Sequence, residues 1–172
     1  RGLDIPLVGE AEKTLQEAPK AEMYAVIPDD FHGVVPKILV KSGDAVKAGT
    51  PLMCDKNRPE VNFVSPVSGT VEAVNRGERR KVLEIVVKSD GKFESVEFEK
   101  LDAKKMDAQA IKDTLLQSGL FAFIKQRPYD VIANPEVAPR DIFVTAFDSA
   151  PLAPEFEFVA KDEEAALQAG VD

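Results

Sequence analysis

The sequence predicts a mixed protein, in which an all-β domain is followed by the beginning of an α/β domain. Between residues 23 and 100 the apolar residues come in short runs broken by Gly, Pro, Asp and Ser, a pattern typical of short strands and tight turns. After Leu101 the apolar period becomes helical. Residues 141–148 then form an almost continuous apolar run, as expected of a parallel strand buried on both faces.

The β part contains seven predicted strands. They cover residues 23–27, 34–40, 51–55, 61–64, 70–74, 81–87 and 96–99. Gly43, Gly69 and Gly91 lie in the turns between them, where glycine supplies a positive φ and neighbouring Asp or Ser side chains bond to the backbone. Strands this short and this numerous predict a small barrel or sandwich.

One helix is predicted directly after the β part. Ala108, Ile111 and Leu115 lie on one helical stripe. Asp107 can cap the start of this helix, and Gly119 occupies the position of a left-handed residue after its end.

The last third of the chain carries the start of the α/β unit. A strand is predicted at residues 141–148 and a short helix at 162–169, with Gly170 as its stop. One strand and one helix cannot close a parallel sheet, so we expect the rest of this domain to lie outside the chain. The predicted division is an N-terminal arm at 1–30, a β domain at 31–100, a helical connector at 101–126 and a truncated α/β start at 127–172.

Composition narrows the possible functions. The chain has 172 residues and a formal net charge of −8, which argues against nucleic acid as a partner. Its single cysteine, Cys54, excludes an internal disulfide and any cysteine-ligated iron–sulfur cluster on this chain, and is expected in the core of a reducing-compartment protein. The single histidine, His32, excludes sites that need two imidazoles. No apolar run approaches the roughly 20 residues that span a bilayer.

Motifs for catalysis are absent from the sequence. It contains neither of the glycine-rich phosphate-binding patterns nor a G-x-S-x-G elbow, so a hydrolase would have to use His32 as its base. Asp29 and Asp30 beside His32 could bind a hard metal ion, but adjacent carboxylates before a strand are more often turn formers. We therefore predict no catalytic residue and no metal site.

Three clusters are candidates for binding. A basic cluster, Arg76, Arg79, Arg80 and Lys81, fits either a solvated loop or a docking patch for an acidic partner or a phosphate. The other two combine an aromatic or apolar face with polar donors: Phe31, His32 and Gly33, and Arg127, Pro128 and Tyr129. A flat quinone or flavin head needs such faces and donors. The alternative is that the neighbouring Phe121 and Phe123 belong to the core and that Arg127 forms a rim ion pair.

Two stretches of the β part, residues 39–52 and 65–71, resemble a biotinyl/lipoyl-type barrel-sandwich hybrid domain. In those carriers a lysine at the hairpin tip between the two motifs bears the prosthetic group. Here the tip falls near Asn57, Arg58 and Pro59, and Lys56 comes slightly too early. The resemblance therefore implies an unmodified scaffold with no covalently bound cofactor, and an unmodified Lys56 would dismiss a carrier role.

A closer resemblance covers nearly the whole chain. The stretches that carry it are residues 2–7, 27–36, 63–69, 75–81, 118–120, 127–128 and 143–153. Together they resemble the family of A subunits of the bacterial sodium-translocating NADH:quinone reductase. Members of that family are longer than this chain, and the resemblance implies a barrel-sandwich hybrid domain followed by the beginning of a Rossmann-like α/β domain.

The resemblance also implies a function. Proteins of this family are peripheral, on the cytoplasmic side of the bacterial inner membrane, in a complex that passes electrons from NADH to ubiquinone and exports sodium. The resemblance further implies that the flavins and the iron–sulfur centre lie on other subunits, and that these subunits are the partners to expect for this chain. Ubiquinone is a possible ligand, at segments that look like those holding Phe31, His32 and Gly33 and residues 124–129 here. The alternatives are a purely structural docking scaffold and the related C subunits of Rnf-type electron-transport complexes.

Overall fold

The computed structural model describes residue 8 and residues 12–98, 105–148, 150 and 153–171. These residues form two compact units, one of Lys20–Ala138 and one from the described residues of 1–19 and 139–172. The stretch 2–7, which contributed to the family resemblance, lies outside the described residues, as do positions 149, 151 and 152. Among the helices of the described residues, none is both long and apolar enough to cross a bilayer.

Unit Lys20–Ala138 contains nine strands and one α-helix among its described residues. They are β1 (Met23–Val26), β2 (Pro36–Ile38), β3 (Ala45–Val46), β4 (Pro51–Asp55), β5 (Asn62–Val64), β6 (Gly69–Arg76), β7 (Val82–Ser89), α1 (Ala108–Ser118), β8 (Lys125–Gln126) and β9 (Val131–Ile132). Short 3-10 helices cover Pro28–Asp30, Glu78–Arg80 and Leu120–Phe123.

Two antiparallel sheets form the β part. One has the strand order β1-β7-β6-β3 and the other the order β2-β4-β5. Side chains from both sheets enter one core, in which Leu52 of β4, Val71 of β6 and Ile85 of β7 have no exposed surface. Because alternate residues of an antiparallel strand face opposite sides, Ile85 and Val87 of β7 are buried, while the alternate positions Glu84, Val86 and Lys88 are half-buried or exposed.

The core continues beyond the sheets into the following segment. Leu116 of α1, Phe121 and Ala122 of the 3-10 helix, and Ile132 of β9 are buried in the same cluster as the strand residues. At the end of α1, Gly119 adopts φ +77° and lies directly against Val64 of β5. The helix and the β8–β9 hairpin therefore share the core of the β part.

Several sequence-based predictions are confirmed at the level of elements. Strands occur at six of the seven predicted places, and α1 begins after Asp107, whose carboxylate accepts a hydrogen bond from the Ala110 N–H at 2.7 Å. β1 lies within the range assigned to an arm, yet it pairs along β7. The short strand β3 and the β8–β9 hairpin were not predicted.

The strand predicted at residues 141–148 is wrong. These residues lie outside every strand and are exposed; Phe143 is 86% exposed. A parallel strand gains its stability from neighbouring strands and from helices on both faces, and the described residues contain no such neighbours for it. An apolar run alone does not produce a strand.

Two smaller predictions also differ from the structure. Residues 96–98 form no strand, and only an isolated bridge joins Ala48 to Ser95, while position 99 lies outside the described residues. The C-terminal helices are α2 (Phe156–Val159), which was not predicted, and α3 (Glu164–Val171), which passes through Gly170 instead of stopping there. Glycine lowers helix stability without ending a helix unless the backbone turns left-handed.

Candidate functional site

Phe31 contacts two other rings, one in the β core and one just before the β8–β9 hairpin. Its ring centroid is 4.4 Å from that of Phe63 on β5 and 6.3 Å from that of Phe123, both with edge-on geometry. Such T-shaped pairs are favourable because the positive edge of one ring meets the negative face of another. Phe31 therefore connects the β core to the segment that leads into the β8–β9 hairpin.

The turn that follows Phe31 brings the backbone close to β9. The Val34 N–H donates to the Phe31 carbonyl at 3.2 Å, and Gly33 adopts φ +80°. A Cβ at Gly33 would lie 3.7 Å from a methyl of Val131. Glycine is favoured here because φ is positive. Because glycine has no side chain, the 31–34 turn can lie close to Val131 of β9.

The β8–β9 hairpin carries the second cluster in its turn. The peptide bond between Arg127 and Pro128 is cis, and Asp130 adopts φ +53°. Arg127 Nη1 lies 3.9 Å from Asp130 Oδ1, an exposed ion pair across the turn. Tyr129 is 75% exposed.

The structure thus places the 31–34 turn beside residues that flank the second cluster, through the contact of Phe31 with Phe123 and the approach of Gly33 to Val131. Neither of these involves Arg127, Pro128 or Tyr129. The polar groups of the two clusters are not joined: among the described residues, no hydrogen bond or ring contact links His32 to Tyr129, and both are exposed. The expectation that Phe121 and Phe123 are both core residues holds for Phe121, whereas Phe123 is 70% exposed.

The segment that contains Phe123 carries several exposed apolar side chains. We call the exposed large side chains of the segment from 120 to 129 the apolar face; they are Leu120, Phe123, Ile124 and Tyr129, of which Phe123 contacts Phe31. Two open clefts among the described residues are lined by residues outside the apolar face. One, of about 220 Å³, is lined by Glu60, Asn62, Asp113, Leu116 and Gln117, and the other, of about 350 Å³, by residues of the segment from Thr145 to Val159. The residues of the apolar face line neither of these clefts.

Sequence reasoning missed Arg58 as part of this region. Arg58 Nη1 donates to the carbonyls of Ile132 at 2.9 Å and Ala133 at 3.4 Å, across more than 70 positions of the sequence. The turn Asn57-Arg58-Pro59 was recognised, but no local pattern identifies a carbonyl partner so far along the chain.

The basic cluster forms the turn between β6 and β7. The Gly77 N–H donates to the Lys81 carbonyl at 2.8 Å, and Arg79 and Arg80 adopt φ +53° and +63°. Lys81 Nζ lies 2.5 Å from Asp29 Oδ2, just before Phe31. All four cationic side chains, Arg76, Arg79, Arg80 and Lys81, are exposed.

The structure also locates the residues that the sequence suggested for metal binding, thiol chemistry or a prosthetic group. Asp29 pairs with Lys81, and no group of three or more metal-binding side chains occurs among the described residues. Cys54 is buried in β4, and burial raises the pKa of its thiol, with Asp55 adding to the effect and Lys37 opposing it. Lys56 is exposed, and its backbone N–H donates to the Val35 carbonyl at 2.7 Å.

The two antiparallel sheets around one core have the architecture of a barrel-sandwich hybrid domain. Residues 1–90 match the family model described as the NqrA N-terminal barrel-sandwich hybrid domain, and residues 106–172 match that of the NqrA second alpha/beta domain. The chain belongs to the NqrA family. The predicted fold class is confirmed, and the family matched is not the Rnf-type alternative.

Curated relatives agree with this assignment. The chain is 39% identical over 174 aligned residues to the A subunit of the Na(+)-translocating NADH-quinone reductase of Pseudomonas aeruginosa, covering 99% of this chain and 39% of that protein. The same-named proteins of Saccharophagus degradans and Yersinia pestis are 38% and 34% identical, with the same coverage. The chain therefore spans about 39% of the length of these relatives.

Proposed function

We propose that this chain is the N-terminal part of the A component of a Na⁺-translocating NADH-quinone reductase, and that its apolar face, with the 31–34 turn, contributes to binding the quinone. The proposal places the chain peripherally, on the cytoplasmic side of the membrane, with the flavins and the iron–sulfur centre on partner subunits. The names of its relatives support membership of such a complex.

The contact of Phe31 with Phe123 carries the quinone proposal. It joins the first candidate cluster to Phe123, which lies about 90 positions further along the chain, just before the second cluster. A quinone head is flat and has two carbonyl acceptors, so it needs apolar faces and one or two donors. In this proposal Phe123 and Ile124, two residues of the apolar face, supply the apolar contact with the quinone ring, and His32 or Tyr129 supplies the donor.

Ubiquinone-1, a soluble short-chain quinone, tests this proposal on the isotope-labelled chain. Its addition should produce saturable backbone amide shifts confined to residues 31–34 and 124–129, compared with a solvent-only titration. Tyr129→Phe and His32→Ala each remove one donor, and the variant that removes the bound donor should weaken binding about fivefold or more. Tyr24→Phe, on β1, is the matched control and should leave the affinity unchanged. Absence of saturable shifts in the wild-type chain would contradict the proposal.

A second candidate function is docking through the basic cluster. The support is the exposure of four cations on one turn of a chain whose net charge is −8. Complementary charge on a partner protein would give such a patch specificity and faster association. Replacing Arg76, Arg79 and Arg80 with Glu should reduce co-purification with the other reductase subunits and leave ubiquinone-1 affinity unchanged. The combined variant Lys41→Glu, Lys88→Glu and Lys92→Glu, which reverses the same number of exposed cations elsewhere, is the matched control for charge. Equal loss in both variants would contradict a specific patch.

We also propose that Lys56 carries no prosthetic group. In carriers the modified lysine projects from the hairpin tip, whereas here Lys56 precedes the tip, and the tip residue Arg58 donates to the carbonyls of Ile132 and Ala133. The intact mass of the chain, expressed in a host competent for biotinylation and lipoylation, should equal the unmodified mass. An added biotinyl or lipoyl mass on Lys56 would instead support a carrier.

A further inference from the structure

The tip of the β4–β5 hairpin contacts both segments of the proposed quinone site. Asp55, the last residue of β4, is buried, and its Oδ1 accepts hydrogen bonds from the N–H groups of Val35 at 3.3 Å and Asn57 at 3.0 Å. Val35 directly follows the 31–34 turn. The carboxylate therefore fastens the end of that turn to the tip.

Arg58 makes the corresponding contact on the other side. Its backbone N–H donates to the Asp55 carbonyl at 3.2 Å, which orders the tip itself. Its half-buried guanidinium donates from Nη1 to the carbonyls of Ile132 and Ala133, at 2.9 and 3.4 Å. Arginine keeps its charge at all accessible pH values and has only donors, so these carbonyls are suitable partners for it.

The two carbonyls lie at the base of the β8–β9 hairpin. The Ala133 N–H donates to the Ile124 carbonyl at 2.9 Å, so holding Ala133 also holds the strand that follows Phe123. Val131, next to Ile132, is the residue that approaches Gly33. The tip of the β4–β5 hairpin thus holds both the 31–34 turn and the base of the β8–β9 hairpin where these two segments approach each other.

We propose that Asp55 and Arg58 are positioning residues, which hold the 31–34 turn and the β8–β9 hairpin in the arrangement that presents the apolar face to the quinone. This inference rests on the proposed quinone site. Neither residue needs to touch the quinone, because each acts through backbone groups of the segments that would. Without Arg58 the hairpin base loses two charge-assisted hydrogen bonds, and the contact between Phe31 and Phe123 loosens.

Arg58→Met is the first variant, because methionine keeps much of the aliphatic stem and removes every donor. We expect ubiquinone-1 affinity to fall about fivefold or more and hydrogen exchange of the Ala133 amide to accelerate by a similar factor. Arg58→Lys restores one charged donor and should recover most of both losses. Arg140→Met, which removes an exposed arginine paired with its neighbour Asp141, is the matched control and should change neither.

Asp55 needs a more conservative substitution than alanine, because Asp55→Ala leaves the N–H groups of Val35 and Asn57 unsatisfied and endangers the fold. Asp55→Ala should weaken ubiquinone-1 binding and accelerate hydrogen exchange of the Val35 amide, whereas Asp55→Asn, which keeps an oxygen that can accept from both groups, should bind ubiquinone-1 within about twofold of the wild type. In Asp55→Asn, a loss as large as that of Arg58→Met would overturn the role assigned to the Asp55 oxygen.

The two readouts separate this inference from the proposed function. If wild-type chain shows no saturable ubiquinone-1 shifts, the quinone site fails, and faster Ala133 exchange in Arg58→Met still supports the fastening of the hairpin. If ubiquinone-1 binds and Arg58→Met changes neither affinity nor exchange, the positioning role is overturned while the quinone site stands. Loss of affinity that Arg58→Lys does not recover, with normal exchange, would also overturn it.

Discussion

Cys54 shows how burial controls the chemistry of one side chain. The thiol lies in β4 with 3% of its surface exposed, and burial raises its pKa because the thiolate would lose its hydration. A smaller thiolate fraction and poor access both slow reactions with electrophiles. The sequence predicted a core cysteine at this position, and the structure confirms it.

Alkylation of Cys54 is therefore expected to be slow in the folded chain. At pH 8, iodoacetamide should modify the native protein roughly a hundredfold more slowly than the protein in guanidinium chloride, because reaction needs local opening of β4. Mass spectrometry of quenched samples measures both rates. Equal rates would contradict the burial of the thiol.

Asp90 shows the opposite shift. The Ser68 hydroxyl donates to its carboxylate at 2.7 Å and the Lys92 N–H at 2.9 Å, and these bonds lower the pKa of Asp90 by stabilising its charged form. Ser68→Ala should raise this pKa towards the ordinary value, as followed by carbonyl chemical shift against pH. Ser42→Ala, whose hydroxyl donates to the Glu72 carbonyl, is the matched control and should leave the Asp90 titration unchanged.

The lowered pKa also sets the sign of a stability effect. Since Asp90 binds its proton less readily in the folded chain than in the unfolded chain, its contribution is present above the ordinary carboxyl pKa. It disappears as the pH falls through the lowered pKa. The Ser68→Ala variant should therefore lose less stability than the wild type between neutral and acid pH, as measured by urea unfolding at each pH.

At the scale of elements, α1 and the 141–148 segment differ in what their formation requires. α1 satisfies its backbone hydrogen bonds internally and carries its own signals, the Asp107 cap and the left-handed Gly119. A strand must satisfy its hydrogen bonds through another strand. Local sequence was therefore enough to predict α1. The apolar run at 141–148, in contrast, has no strand partner among the described residues.

Gly119 tests how α1 is held against β5. A Cβ there would lie 2.9 Å from both methyls of Val64, in addition to the strain of φ +77°. Gly119→Ala should lower the free energy of unfolding by about 2 kcal/mol or more. Gly91→Ala is the matched control, because Gly91 has φ +73° but nothing within 4 Å of a Cβ, and should cost about 1 kcal/mol. Equal losses in urea unfolding would contradict close packing at Gly119.

At the scale of the whole molecule, one core serves the β part, α1 and the β8–β9 hairpin. In the sequence, the spacing of apolar residues changes at residue 101, which predicts a domain boundary there. The two family models match residues 1–90 and 106–172, so residues 91–105 belong to neither match. The core crosses that interval, since Leu116, Phe121 and Ile132 are buried with the strand residues. The division itself stays a prediction.

Two truncated chains test the extent of this core. Residues 20–138 should fold with the same amide spectrum that this region has in the whole chain. Residues 20–98 should be destabilised by several kcal/mol, because each lost large apolar side chain contributes about 1.5–3 kcal/mol through burial. Urea unfolding of both chains measures the difference, and equal stability would contradict a shared core.

The class of fold, the family and most strands could be predicted from sequence alone, because alternation, turn residues and helix caps act over a few positions. Sequence also identified Phe31, His32 and Gly33 and Arg127, Pro128 and Tyr129 as candidate residues for a quinone, a role that stays a proposal. The contacts of Phe31 with Phe123, Gly33 with Val131 and Arg58 with the Ile132 carbonyl came instead from the folded structure. These contacts join positions far apart in sequence, and packing around one core, which no local pattern encodes, is what creates them.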